Sequence, residues 1–139
     1  MEINHNIRLV MKSITKAQEK LDIGARLARD EMMARLIQLS QREIKGDRKN
    51  VGYPATPGKP PMNVTGNLRR SIRGQKIRTG FASYSAIVGP TIIYGRSVEM
   101  GNPYNPPTWQ NGQRFPYMKP AFEKYRREHV AIMRKYLSF

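Results

Sequence analysis

Apolar residues in the first third of the chain fall at Ile3, Ile7, Val10, Ile14, Ala17 and Leu21, and resume at Ala25, Ala28, Met32, Leu36 and Leu39. Steps of three and four place them in one stripe, since an α-helix turns once every 3.6 residues. Lys12, Lys16, Lys20, Arg26, Arg29 and Arg35 lie on the opposite face. A helix continuous over 1–45 would be roughly 60 Å long at 1.5 Å per residue, more than the width of so small a domain. It must therefore break, or project and pack against a neighbouring subunit. Asp22-Ile23-Gly24 is the place for a break, because Gly costs about 1 kcal/mol against Ala inside a helix. The stripe crosses that point with only a small phase step, which favours a kinked or continuous helix over two separate ones. The C-terminal half of the stripe is expected to cover the protein's own sheet and the N-terminal half to be free for a partner.

The segment 46–64 holds Gly46, Gly52, Pro54, Pro57, Gly58, Pro60 and Pro61, a composition that excludes helix and central strand and reads as a loop. The stretch 65–101 reads as a short helix, a hairpin and a second short helix. Thr65 suits the first N-cap, with Leu68 and Ile72, four apart, anchoring one or two turns. Strands are predicted over 75–78 and 82–89 around a Thr79-Gly80 turn, with Tyr84, Ala86 and Val88 sharing one face. Tyr94 and Val98 are also four apart, and Gly101 suits the position after a short helix. A second Pro-rich loop covers 102–118, with a hairpin signal at Asn111-Gly112. The last segment, 119–139, is a helix with Pro120 in its first turn. Its apolar face comprises Phe122, Tyr125, His129, Ile132, Met133 and Tyr136. No β-α-β alternation occurs. The order predicts a single α+β domain, with long N- and C-terminal helices packed on a small, mainly antiparallel sheet and two Pro-rich loops.

Charge changes this picture. The chain of 139 residues carries a formal net charge of +15. Between Arg48 and Val98 stand nine Arg and Lys residues and no Asp or Glu. Such a segment calls for compensation from outside the monomer. The densest part is Arg69, Arg70, Arg73, Lys76 and Arg78, and two readings of it stand side by side. It is a surface for DNA phosphates, or a face that pairs with acidic surfaces on neighbouring proteins. No helix-turn-helix, zinc finger or single-strand stacking pattern argues for base readout.

Candidate chemistry is sparse. There is no cysteine, so disulfides and thiolate metal sites are excluded. Of two histidines, His5 lies near an end and His129 sits within a helix rich in Arg and Lys. No phosphate loop, nucleophile elbow or metal-ligand spacing is present, and the chain reads as a non-enzyme without cofactor. The carboxylates of the first helix read as members of local ion pairs. Glu99, the only acid between Asp47 and Glu123, reads equally as a bridge to an Arg of an adjacent subunit or as an internal pair or cap. Tyr53, Tyr104 and Trp109 in the Pro-rich loops suit protein contacts, while Phe115 and Tyr117 suit packing on their own domain. No run reaches the roughly 20 apolar residues of a spanning helix, and the first residues do not form a secretory signal. A soluble protein assembled in the cytoplasm is expected.

Three strings carry a resemblance. They are Thr65, Gly66, Leu68, Ser71 and Ile72; then Tyr94, Glu99 and Gly101; then Pro116, Pro120 and Ala121. In this order and spacing, over roughly the central half of the chain, they resemble the neck and tail-completion proteins of tailed bacteriophages. The chain departs from that pattern at Asn63 and Val64, where many relatives have Asp, and at Asn102 and Pro103, where many have Thr or Ser. The resemblance implies a structural virion protein at the neck or top of the tail. It would be one subunit of a homo-oligomeric ring that completes the tail and joins it to the DNA-filled head. Its implied partners are neighbouring neck, connector or tail proteins, and double-stranded DNA held non-specifically in the lumen. The competing expectation, from charge alone, is a small phage protein that binds nucleic acid outside the virion.

Overall fold

A computed structural model of the chain describes residues 2–45, 57–61, 65–101 and 113–138. The elements are α1 (Glu2–Glu43), α2 (Asn67–Ser71), β1 (Ile72–Gly80), β2 (Ser83–Pro90), α3 (Gly95–Met100) and α4 (Met118–Leu137). The arrangement is α+β. Long N- and C-terminal helices pack on a two-stranded antiparallel sheet, α1 directly and α4 across α1. The Asn111-Gly112 signal, Tyr53, Tyr104 and Trp109 lie outside the described residues.

The 42-residue α1 is one continuous helix, about 63 Å long at 1.5 Å per residue. Gly24 does not break it because the glycine has a packing role. A Cβ there would lie 2.5 Å from the carbonyl oxygen of Tyr136 and 3.3 Å from Leu137, so the end of α4 rests on α1 at this point. Residues 4–21 of α1 are exposed throughout, including Ile7, Val10 and Ile14 at 50%, 57% and 53%. From Gly24 onward the helix is covered, by α4 on one side and the hairpin on the other, so Arg29 and Arg35 do not stand on the open face opposite the stripe: Arg29 lines the side facing the hairpin and Arg35 reaches Glu128 of α4.

Two small cores result. Ile44, Ile72, Val98, Phe115 and Tyr117 form one, with Ile37, Leu68, Val88, Tyr94 and Met118 packed around it. Leu39, Ala121 and Tyr125 form the other, with Met32 and Leu36. The buried face of α4 is Ala121, Tyr125 and Ile132, whereas Phe122 and Met133 remain 49% and 41% exposed. The expected apolar face was therefore too wide: along most of its length α4 packs on α1, and no other described element closes over Phe122 or Met133.

The hairpin pairs Ile72 with Pro90, Gly74 with Val88 and Lys76 with Ala86. Alternation then points Ile72, Gly74, Lys76 and Arg78 to the α1 side and Arg73 and Gln75 away from it. Gly74 permits the close approach, since a Cβ there would lie 2.4 Å from Sδ of Met33. The turn lies at Phe81-Ala82, two residues beyond the predicted Thr79-Gly80. Ala82 takes φ +48°, and its N–H donates to Oδ1 of Asp22 at 2.9 Å. That bond from α1 supports a left-handed residue that local propensity disfavours. The first short helix likewise starts one residue late. Gly66, at φ +77°, is its N-cap, and Thr65 Oγ1 only accepts the Asn67 N–H at 3.3 Å.

Candidate functional site

The basic residues grouped by sequence divide in space. Arg69 and Arg70 are exposed on α2, and Arg73 is exposed at the start of β1 on the face away from α1. One turn of helix leading directly into a strand keeps these three together at the α2–β1 junction. The Arg70 guanidinium donates to the Thr65 carbonyl at 3.1 Å and to Asn67 Oδ1 at 2.9 Å, which holds it back along the start of α2. Among the described residues, no carboxylate forms a salt bridge with any of the three.

Lys76 and Arg78 point the other way and meet acids of α1. Lys76 Nζ lies 3.1 Å from Asp30 Oδ2, and Arg78 lies 3.9 Å from Asp22. The two strand cations are therefore compensated within the monomer, contrary to the reading that the whole basic segment needs an external counter-charge. Such exposed pairs contribute little to stability, but they remove two charges from the pool open to a partner. Arg29 also pairs with Asp30, and both Arg29 and Arg78 lie over the Tyr84 ring, at 5.0 and 5.7 Å from its centroid.

The acids of α1 do more than form local pairs. Asp22 accepts the Ala82 N–H and the Tyr84 hydroxyl (2.8 Å), and these bonds hold its pKa below the ordinary value. Partial desolvation raises the Asp30 carboxyl, but hydrogen bonds from Arg29 and Lys76 outweigh it and lower the pKa overall. Glu31 is lowered by the hydrogen bond from Lys135 of α4 at 2.8 Å, then by that from the Tyr136 hydroxyl. Arg35 grips Glu128 of α4 with two N–H donors, at 2.5 and 2.8 Å, which lowers the Glu128 carboxyl. Glu43 pairs with Lys124. Only Arg29–Asp30 is local; the rest clamp α1 to the hairpin and to α4. The missed signal was the pairing of acids on α1 with Lys and Arg far along the chain, which spacing within one helix does not reveal.

Glu99 is engaged within the chain. Its Oε2 accepts the backbone N–H of Tyr117 and Met118 at 2.7 and 2.9 Å, and Oε1 accepts that of Lys119 at 3.0 Å. The first turn of α4 has no acid of its own, so Glu99 supplies from α3 the negative charge that a helix N-terminus favours. The three strings singled out in the sequence meet at this joint. Leu68 and Ile72 enter the same core as Val98 and Tyr94. The Ser71 carbonyl accepts the Thr91 N–H at 2.9 Å, just ahead of α3. Phe115 N–H donates to the Val98 carbonyl at 2.8 Å, and the Tyr117 hydroxyl donates to the Gly95 carbonyl at 3.0 Å. Burial, and then the Glu99 charge, push that hydroxyl well above the usual phenol range. Pro120 lies in the first turn of α4, next to fully buried Ala121, and Gly101 closes α3 with its N–H on the Ser97 carbonyl. Pro116 is half-buried between Phe115 and Tyr117.

A groove of about 280 Å³ runs between α1, β2 and α4, lined mainly by apolar side chains. Among the described residues no cluster of His, Asp and Glu has the geometry to hold a metal ion. His129 Nδ1 is 2.7 Å from the Arg126 carbonyl, and its ring lies 5.8 Å from that of Tyr125, at the edge of the α1–α4 contact. No described helix is long and apolar enough to cross a membrane. The chain matches no protein-family model, no curated protein and no solved structure.

Proposed function

We propose that the chain is a structural virion protein of a tailed phage. It would act as a ring subunit at the neck or top of the tail, completing the tail and joining it to the DNA-filled head. Its partners are other copies of itself and adjacent neck, connector or tail proteins, and its work is mechanical, without turnover. The resemblance at the α2, α3 and α4 joint motivates the class. The observation that carries a multi-subunit role is the projecting half of α1, whose apolar stripe no part of the described chain covers. In this reading Arg69, Arg70 and Arg73 face the lumen, where attraction to phosphates is indifferent to sequence and lets DNA slide. Lys76 and Arg78, already paired, contribute less.

Mass spectrometry of purified particles tests this directly. A ring component is present at a low, fixed copy number, and deleting its gene leaves filled heads and tails that fail to join. Absence from particles, with normal infectivity after deletion, selects the second reading, a nucleic-acid-binding protein acting outside the virion, which the +15 charge also suits. The lumen assignment has its own test. Reversing Arg69, Arg70 and Arg73 to Glu should leave the monomer folded, because all three are exposed, and should impair DNA retention or ejection. Normal infection by particles carrying the reversed protein would exclude it.

A further inference from the structure

The projecting stripe and the open groove are two apolar surfaces of one chain, and they match. The groove walls include Ala28, Met32 and Leu36 of α1, Ala86 and Val88 of β2, and Met133 of α4. Along α1 it extends from Ala25 to Leu36, about 17 Å at 1.5 Å per residue. The stripe from Ile7 to Leu21 is about 21 Å long on the same rise. The helix cannot fill its own groove, because α1 runs unbroken through Gly24 and carries the stripe away from the body. A projecting half of α1 that enters such a groove therefore belongs to another copy.

The charges permit that approach despite the strongly basic chain. At 100° per residue, Asn6, Met11, Ser13 and Gln18 flank the stripe, with Lys20 just outside the Ser13 edge, while Arg8, Lys12, Lys16 and Glu19 stand on the far side. Arg29, the charged residue lining the groove, has its guanidinium held by Asp30 at 2.7 Å. Area sets a further condition. One face of a helix about 30 Å long covers roughly 400–500 Å², short of the ~800 Å² per partner in stable interfaces. Pairing two projecting halves stripe to stripe would bury only that much per chain. Placing each stripe in another copy's groove lets every chain bury both surfaces, within one interface when the exchange is reciprocal and divided between two when it is repeated head to tail.

We propose that residues 7–21 of α1 from one copy dock in the groove between β2 and α4 of a second copy. This names the contact behind the ring reading above and rests only on its self-association part, not on DNA or the virion. Repeated head to tail, the contact is heterologous and closes into a ring; exchanged reciprocally, it closes as a dimer.

The absence of native cysteine gives a clean cross-linking experiment. Full-length Ile14→Cys and Ala86→Cys chains are mixed and oxidised, and a disulfide-linked 14–86 pair is the expected product. Cross-linking of Ile14→Cys chains to themselves, with no 14–86 product, would show stripe-to-stripe pairing and overturn the docking. If the protein sediments as an oligomer and neither product forms, the docking falls while the ring reading stands. A monomer at all concentrations removes both. The double variant carrying both cysteines separates the two closures. A ladder ending at a ring supports docking and ring together, and a ladder stopping at two chains supports docking but not the ring. Ile14→Asp should weaken self-association at least 100-fold without changing the circular dichroism or thermal unfolding of the monomer. Unchanged association in that variant would also count against the docking.

Discussion

The two halves of α1 share one helix and nearly one apolar period, yet they have opposite fates. In residues 4–21 the side chains of the stripe stand in solvent. From Gly24 to Glu43 the same face meets α4 and the hairpin, and Ala28 and Leu39 are buried at 4% and 6% exposure. Periodicity decides which residues share a face; whether that face is covered depends on how far the other elements reach. Here the reach of α4 ends at Gly24, where the backbones of the two helices touch.

Substitutions should report this contrast in descending size. Leu39→Ala opens a space beside Ala121 and Tyr125 and should cost about 2–4 kcal/mol in denaturant unfolding. Ile14→Ala, an equivalent truncation in the exposed half, should change monomer stability by no more than about 0.5 kcal/mol. Equal effects would mean that the two halves are not distinct in solution. Glu99→Ala removes the pin at the start of the covering helix. Leaving three amides of α4 without their acceptor should cost about 1–2 kcal/mol. Glu99→Gln, which keeps the acceptor oxygen but loses the charge, should recover part of the loss.

Gly24→Ala is a sharper test because its sign is at stake. In an uncovered helix the exchange stabilises by about 1 kcal/mol. At Gly24 the new methyl meets the Tyr136 carbonyl, and overpacking of that kind costs about 1–3 kcal/mol, so a net loss is expected. A gain would show that α4 does not rest there. The smallest effect concerns pH. Asp22, Asp30, Glu31 and Glu128 join the covered half of α1 to its surroundings, and all have folded pKa values below their ordinary ones. A depressed folded pKa gives stability that is present above the unfolded value and is lost as pH falls through the folded one. Thermal unfolding should therefore hold steady from neutral pH down to about 5 and decline below about 4. Asp30→Asn should flatten that decline.

What was legible in the sequence follows from the same contrast. The long stripe, the order of helices and hairpin, and the α+β class depend on local periodicity and turn chemistry, and they could be read directly. The turn at Phe81-Ala82 could not, because an aspartate about sixty residues earlier in the chain holds Ala82 in its left-handed conformation. The basic segment read as uncompensated because the partners of Lys76 and Arg78 lie on α1, far outside any local window. Glu99 stood out by its isolation among cations, and an internal cap was one of its two readings; that the capped amides are those opening α4 emerges only when α3 is laid against them. The width of the α4 face was over-read because Phe122 and Met133 fit the period, yet the described residues leave both partly exposed.

The joint between α3 and α4 has one more consequence. The Gly101 N–H is held by the Ser97 carbonyl at 2.8 Å, Phe115 N–H by the Val98 carbonyl, and the next helix by Glu99. Phe115 and the first amides of α4 are thus both tied to the six-residue α3. That short helix acts as a bearing plate: a backbone shift within it is transmitted along the 20-residue α4 to the far end that rests on Gly24.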